Sequence, residues 1–137
     1  MISVELILET FERQKNEILE NISKTSISRS SLQVEPALPN FARIITGIRR
    51  SGKSTLISKD LFSADKAAFY LNFDEPVLYN FSATDFVILE NAIDKFQKEQ
   101  NGSKNLYFDE IQNVDGWEVF VNAQLKKGNL VTVTGSN

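Results

Sequence analysis

The sequence predicts an α/β fold in three layers, with a parallel sheet between two layers of helices. Three observations predict it. From Phe41 onward, short apolar strand-like runs alternate with helix-like segments in the order β-α-β-α-β-α-β. The runs lack polar alternation, which marks strands buried on both faces. A glycine-bracketed loop, 47–52, joins the first run to the helix that follows. Parallel pairing of such units implies right-handed crossovers.

Each element has its own signal. Val4, Ile7, Leu8, Phe11, Ile18 and Ile22 recur at helical spacing, so an amphipathic helix is predicted over 3–23. Its apolar stripe is expected to pack on the core rather than bind a partner. The stretch SKTSISRSSLQVEPALPN is rich in Ser and holds two of the three prolines, which reads as a linker or irregular loop. Residues 1–40 are therefore read as an N-terminal helix and linker, and 41–137 as the core. FARIIT is the first strand, about 42–46, and a helix is predicted at about 53–62. KAAFYLNF is the second strand. SATDFVILENAIDKFQKEQNG is a helix with Ser82 as N-cap, Asp85 three residues on, and Gly102 past its end. NLYFDE is the third strand. DGWEVFVNAQLKKG is a shorter helix, with Asp115 as its cap, Glu118 at the box position, and Lys126, Lys127 and Gly128 closing it. Leu130–Thr134 is the last strand, ending in a small polar tip of Gly135, Ser136 and Asn137.

Composition limits the chemistry. A chain of 137 residues suits one domain, and 42% apolar with 24% charged residues is an ordinary globular balance. There is no cysteine, which excludes disulfides and thiolate metal sites. There is no histidine, which removes imidazole ligands, Ser-His triads and histidine general bases. Acid–base work falls to Asp, Glu, Lys or Tyr. The net charge of −3 does not indicate a nucleic-acid grip, which needs a clustered basic face. No run has the length of a membrane span, and the charged start does not fit a signal peptide. A cytoplasmic location is expected.

Residues 47–54 read G-I-R-R-S-G-K-S, which fits the phosphate-binding pattern G-x-x-x-x-G-K-[ST] known as Walker A. The pattern sits between a strand and a helix, as its mechanism requires. Gly47, Ile48, Arg49, Arg50, Ser51 and Gly52 would form a nest of inward-pointing N–H groups at the N-terminus of the helix that carries Lys53, Ser54 and Thr55. Lys53 would reach the β- and γ-phosphates of ATP as a point charge, and Ser54 would offer its hydroxyl to Mg2+. Arg49 and Arg50 have two readings of equal weight: a contact to the γ-phosphate or to a neighbouring subunit of a homo-oligomer, or a solvated pair.

NLYFDE ends in Asp109 and Glu110, the Walker B pattern. Asp109 would hold the water shell of Mg2+, and Glu110 would orient and deprotonate the attacking water. Asp74 and Glu75 follow the second strand and read as a turn before a helix. Trp117 reads as a packing residue of its helix.

IITGIRRSGKSTLI, FYLNFDEP, LYFDEIQNVDGWE and VTVTGSN together resemble the AAA-type P-loop ATP-binding proteins of bacteria and archaea. The resemblance covers about 41–137. It implies a three-layer αβα P-loop NTPase core with sheet order 1-4-3-2. It also implies ATP binding and hydrolysis by Lys53, Ser54, Asp109 and Glu110, and a polar sensor 1 group, Ser136 or Asn137, carried to the γ-phosphate by the last strand. In that division a fifth strand normally lies beyond the first, and a nuclease-like C-terminal domain normally follows. Both are missing here, so the chain is expected to be an ATPase fragment with an exposed first-strand edge. That edge would either self-associate or be covered by the N-terminal segment. A nucleotide-gated switch with slow or no hydrolysis and a small-molecule kinase remain the alternative functions.

Overall fold

Parallel strands all leave a sheet by the same edge, so strand order decides which loops meet there. The computed structural model describes residues 1–24, 41–47, 68–97 and 104–136. Within them, β1 (Arg43–Gly47), β2 (Phe69–Asn72), β3 (Asn105–Asp109) and β4 (Leu130–Ser136) form one parallel sheet in the order β1-β4-β3-β2. This is the predicted order. The helices are α1 (Val4–Lys24), α2 (Phe86–Phe96) and α3 (Trp117–Lys126). The first two residues of the expected linker, Ser23 and Lys24, belong to α1; the rest of it, 25–40, and the expected helix at 53–62 lie outside the described residues.

One strand is longer than expected. The reading of Gly135 and Ser136 as a polar tip beyond the strand is corrected, because β1 supplies both with partners: Thr46 pairs with Gly135 and Gly47 with Ser136.

The register sorts side chains onto two faces. Phe69 and Leu71 share one face with Leu106 and Phe108 and with Val131 and Val133. The helices cover this face with phenylalanines. Phe11 of α1 stacks on Phe69 at 4.8 Å, and Phe120 of α3 meets Phe108 at 5.5 Å. Phe86 of α2 stacks on Phe120 at 4.6 Å. Burying each large apolar side chain contributes roughly 1.5–3 kcal/mol. The opposite face carries Tyr70, Tyr107, Asp109, Thr132 and Thr134, all buried. The sheet is thus buried on both faces, as its runs suggest, but only one face is apolar.

Local signals set the helix ends. The Asp85 carboxylate accepts the Ser82 N–H at 2.9 Å, the reciprocal half of the predicted box. A 3-10 turn, Ala83–Asp85, intervenes before α2 begins. At the end of α3, Gly128 N–H donates to Leu125 O at 2.9 Å and Asn129 N–H to Gln124 O at 3.1 Å. This is a Schellman closure, and it needs the left-handed φ of 87° that Gly128 adopts readily. The start of α3 differs from expectation. Its N-cap is Gly116 at φ 84°, not Asp115, and it has no side-chain cap.

The N-terminal helix packs on the core, as predicted, but at the β2 end of the sheet. Phe11 also meets Phe96 of α2 edge-on at 4.8 Å. Covering of the β1 edge by the N-terminal segment is therefore not what α1 does, because its aromatic partners belong to β2 and α2. Among the described residues β1 pairs only with β4, and Ile44 is 61% exposed. At the opposite edge, Gln14 acts as a substitute neighbouring strand. Its amide nitrogen donates to Asn72 O at 3.0 Å, and its oxygen accepts Asn72 N–H at 2.9 Å. An edge strand's orphan backbone groups are thereby satisfied from a helix.

Gln14→Ala should cost about 1–3 kcal/mol of stability, because it strands both Asn72 groups and the side chain is buried. Arg13→Ala, which removes an exposed pairing to Glu75, should cost less than about 1 kcal/mol. Urea unfolding of both variants checks this, and equal losses would contradict the edge role of Gln14.

Candidate functional site

Asp109 is the last residue of β3 and is 6% exposed. A buried carboxylate needs hydrogen-bond donors. The register supplies two from neighbouring strands on the same face. Tyr70 of β2 donates its hydroxyl to Oδ2 at 3.0 Å, and Thr134 of β4 donates its hydroxyl to Oδ1. The Asp109 carbonyl accepts the Phe73 N–H at 2.8 Å, which carries the ladder one step past β2. Both carboxylate oxygens are thus oriented by groups fixed in the sheet.

Burial pushes the Tyr70 phenol well above its ordinary range. The charge of Asp109, the hydrogen bond to it, and the charge of Glu110 push the same way. Tyr70 is therefore a neutral donor across the whole physiological range.

Glu110 leaves the strand in the left-handed region, at φ 58° and ψ 32°. Among the described residues it is the one non-glycine with positive φ. The conformation costs about 1–2 kcal/mol for an L-residue. Two features hold it. Its N–H donates to Thr134 O at 2.9 Å, and the following 3-10 turn, Ile111–Asn113, is anchored by the fully buried Ile111. Strain of this kind clusters at functional sites. The Glu110 side chain is 7% exposed, and its Oε2 accepts from Gln112 Nε2 at 2.6 Å.

The same edge receives the ends of β4 and β1. Ser136 stands opposite Gly47, and Thr134 lies between Asp109 on one side and Ile45 on the other. Gly47 and Ser136 are thus brought to the edge where Asp109 and Glu110 emerge. Of the other residues singled out in the sequence, Ile48, Arg49, Arg50, Ser51, Gly52, Lys53, Ser54, Thr55 and Asn137 lie outside the described residues. Glu75 caps a 3-10 turn, Pro76–Leu78, and pairs with Arg13, in keeping with a turn. Trp117 packs partly buried against the core.

Sequence reasoning missed Tyr70, Gln112 and Thr134. For two of them the signal was there. In a parallel sheet of this order, the period of two puts Tyr70 and Thr134 on the face of Asp109. Gln112 carries no such mark, because its position depends on the left-handed turn at Glu110.

Among the described residues no group of three or more acidic side chains could hold a metal alone. No helix among the described residues is long and apolar enough to cross a membrane.

Comparison with known proteins agrees with this geometry. A family model described as AAA domain matches residues 40–137, more than half of the chain. An uncharacterized protein of Methanocaldococcus jannaschii is 30% identical over 128 residues, covering 93% of this chain and 28% of that protein. An uncharacterized protein of Haemophilus influenzae is 35% identical over 129 residues, covering 85% of this chain and 31% of that protein. The chain thus spans under a third of the length of these curated relatives. No solved structure matches at a significant level.

The Tyr70 environment has a measurable consequence. A phenol held protonated in the folded state contributes stability that is present below the unfolded pKa of about 10 and lost as pH rises toward the folded value. Stability should therefore fall above pH ~10, and Tyr70→Phe should flatten that fall. Denaturant unfolding at several alkaline pH values compares the two, and identical slopes would contradict the assignment.

Proposed function

The chain belongs to the AAA domain family, with an α/β core of P-loop NTPase type, and on that premise we propose that it binds ATP with Mg2+ and hydrolyses it, as the ATPase module of a larger protein. One observation carries the reading. Asp109 and Glu110 emerge in succession at the sheet edge where β1 ends in Gly47, the first residue of the G-x-x-x-x-G-K-S sequence, with β4 between them.

In this reading residues 47–52 wrap the phosphates with backbone N–H groups, and Lys53 adds a point charge on the β- and γ-phosphates. Asp109, through the water shell, and Ser54 would hold Mg2+, which would supply positive charge against the phosphates. Asp109 can do this without reorganising, because Tyr70 and Thr134 already fix its two oxygens. Glu110 takes the proton from the attacking water. It follows Asp109 out of the sheet at that edge, and no histidine exists to act in its place. Ser136 or Asn137 contacts the γ-phosphate from the end of β4.

A kinase reading would be favoured by β3 lying directly beside β1. β4 stands between them, so no observation favours it.

Lys53→Ala should weaken Mg-ATP binding at least about tenfold by removing a charge-assisted contact. Glu110→Gln should keep that affinity while lowering kcat about a hundredfold or more. Calorimetry and a phosphate-release assay on the intact protein check both. Parental turnover in Glu110→Gln would place the base elsewhere. No turnover in the parent would favour a nucleotide-gated switch.

A further inference from the structure

Glu110 is tied to the end of β4 twice, once through its backbone and once through its side chain. The backbone tie is the hydrogen bond from its N–H to Thr134 O. The side-chain tie runs through Gln112. The Gln112 amide nitrogen donates to Glu110 Oε2 at 2.6 Å. The same carboxamide lies against the next residue of β4: a Cβ added at Gly135 would stand 3.0 Å from Gln112 Cδ and Oε1 and 3.1 Å from Nε2. Gly135 does not have positive φ, so its backbone suits any residue. What excludes a side chain there is the carboxamide.

Gln112 is itself well placed to bear on both groups. It is the middle residue of the 3-10 turn, where Asn113 N–H donates to Glu110 O at 3.2 Å and Val114 N–H to Ile111 O at 3.0 Å. An exposed glutamine costs rotamer entropy to fix, up to about 2 kcal/mol. Here a short bond to a carboxylate at the amide and a glycine-made gap beneath it offset that cost.

We infer that Gln112 is a positioning residue that sets the plane of the Glu110 carboxylate and links it to the end of β4. The inference rests on the reading of Glu110 as the base for ATP hydrolysis. The link has a direction. Gly135 is followed by Ser136, which pairs with Gly47 at the start of the phosphate-loop sequence. Gln112 thus connects the base to the strand whose end pairs with the start of the phosphate-loop sequence.

The test uses the intact protein with four variants: Gln112→Met, Gly135→Ala, the two combined, and Glu110→Gln as reference. Methionine keeps the length of Gln112 and removes its donor. Gln112→Met should lower kcat about tenfold with KM for ATP and Tm unchanged, the pattern of a lost positioning contact. Gly135→Ala should lower kcat to a similar degree, because its methyl group displaces the carboxamide. The combined variant should lose no more than either alone, since both break one link. Parental kcat in Gln112→Met, with Glu110→Gln inactive, would overturn the inference and leave the base assignment standing. So would losses that multiply in the combined variant. Full turnover in Glu110→Gln would instead remove the base assignment itself.

Discussion

The pairing of β4 between β3 and β1 is the constraint on which the site depends. Neighbouring strands lie about 4.8 Å apart, so this placement sets Asp109 and the exit of β1 about 10 Å apart. The gap is occupied by Thr134, whose hydroxyl meets the Asp109 carboxylate and whose carbonyl takes the Glu110 N–H. A strand added elsewhere would leave the carboxylate with one donor and the strained turn at Glu110 without its anchor. One residue in β4 thus orients one acidic group and fixes the backbone of the other.

The two faces of the sheet divide the labour. Phenylalanines from three helices lock one face, through ring contacts of Phe11 and Phe96 with Phe69 and of Phe120 with Phe108. The other face is buried as well but holds hydroxyls and a carboxylate. Rigid packing on the first face lets the second hold polar groups in fixed positions, which is the requirement for charge stabilisation without reorganisation. The far end of the sheet is tied separately. Asn129 bonds the Lys104 N–H at 3.1 Å through its side-chain oxygen, and Leu130 N–H reaches Lys104 O at 2.8 Å. These contacts fix the start of β4 against β3 and so set the register that brings Thr134 to Asp109.

Much of this was legible in the sequence. The alternation of runs gave the parallel sheet, and the resemblance to the AAA-type P-loop proteins implied its order. Asp109 and Glu110 were marked by ending an apolar strand. What was not legible depended on geometry that residue types do not encode. Asp115 has the chemistry of a cap, yet Gly116 adopts the left-handed turn that begins α3. Gly135 and Ser136 have the composition of a turn, yet β1 extends far enough to keep them in the sheet. Gln14 looks like one polar residue on a helix. Its role at the β2 edge follows only from where α1 docks, and that is set by aromatic contacts across distant segments.

The proposed place for the nucleotide phosphates is the edge where β3, β4 and β1 end. The most direct measurement replaces Mg2+ with Mn2+ in the presence of ATP and records paramagnetic broadening of backbone amide signals. Broadening should be strongest at Glu110, Ile111 and Gly135. It should decline steadily toward Asn105 and Leu130, about 15 Å away at the other end of the strands. Equal broadening at both ends, or a maximum at Asn105 and Leu130, would contradict it.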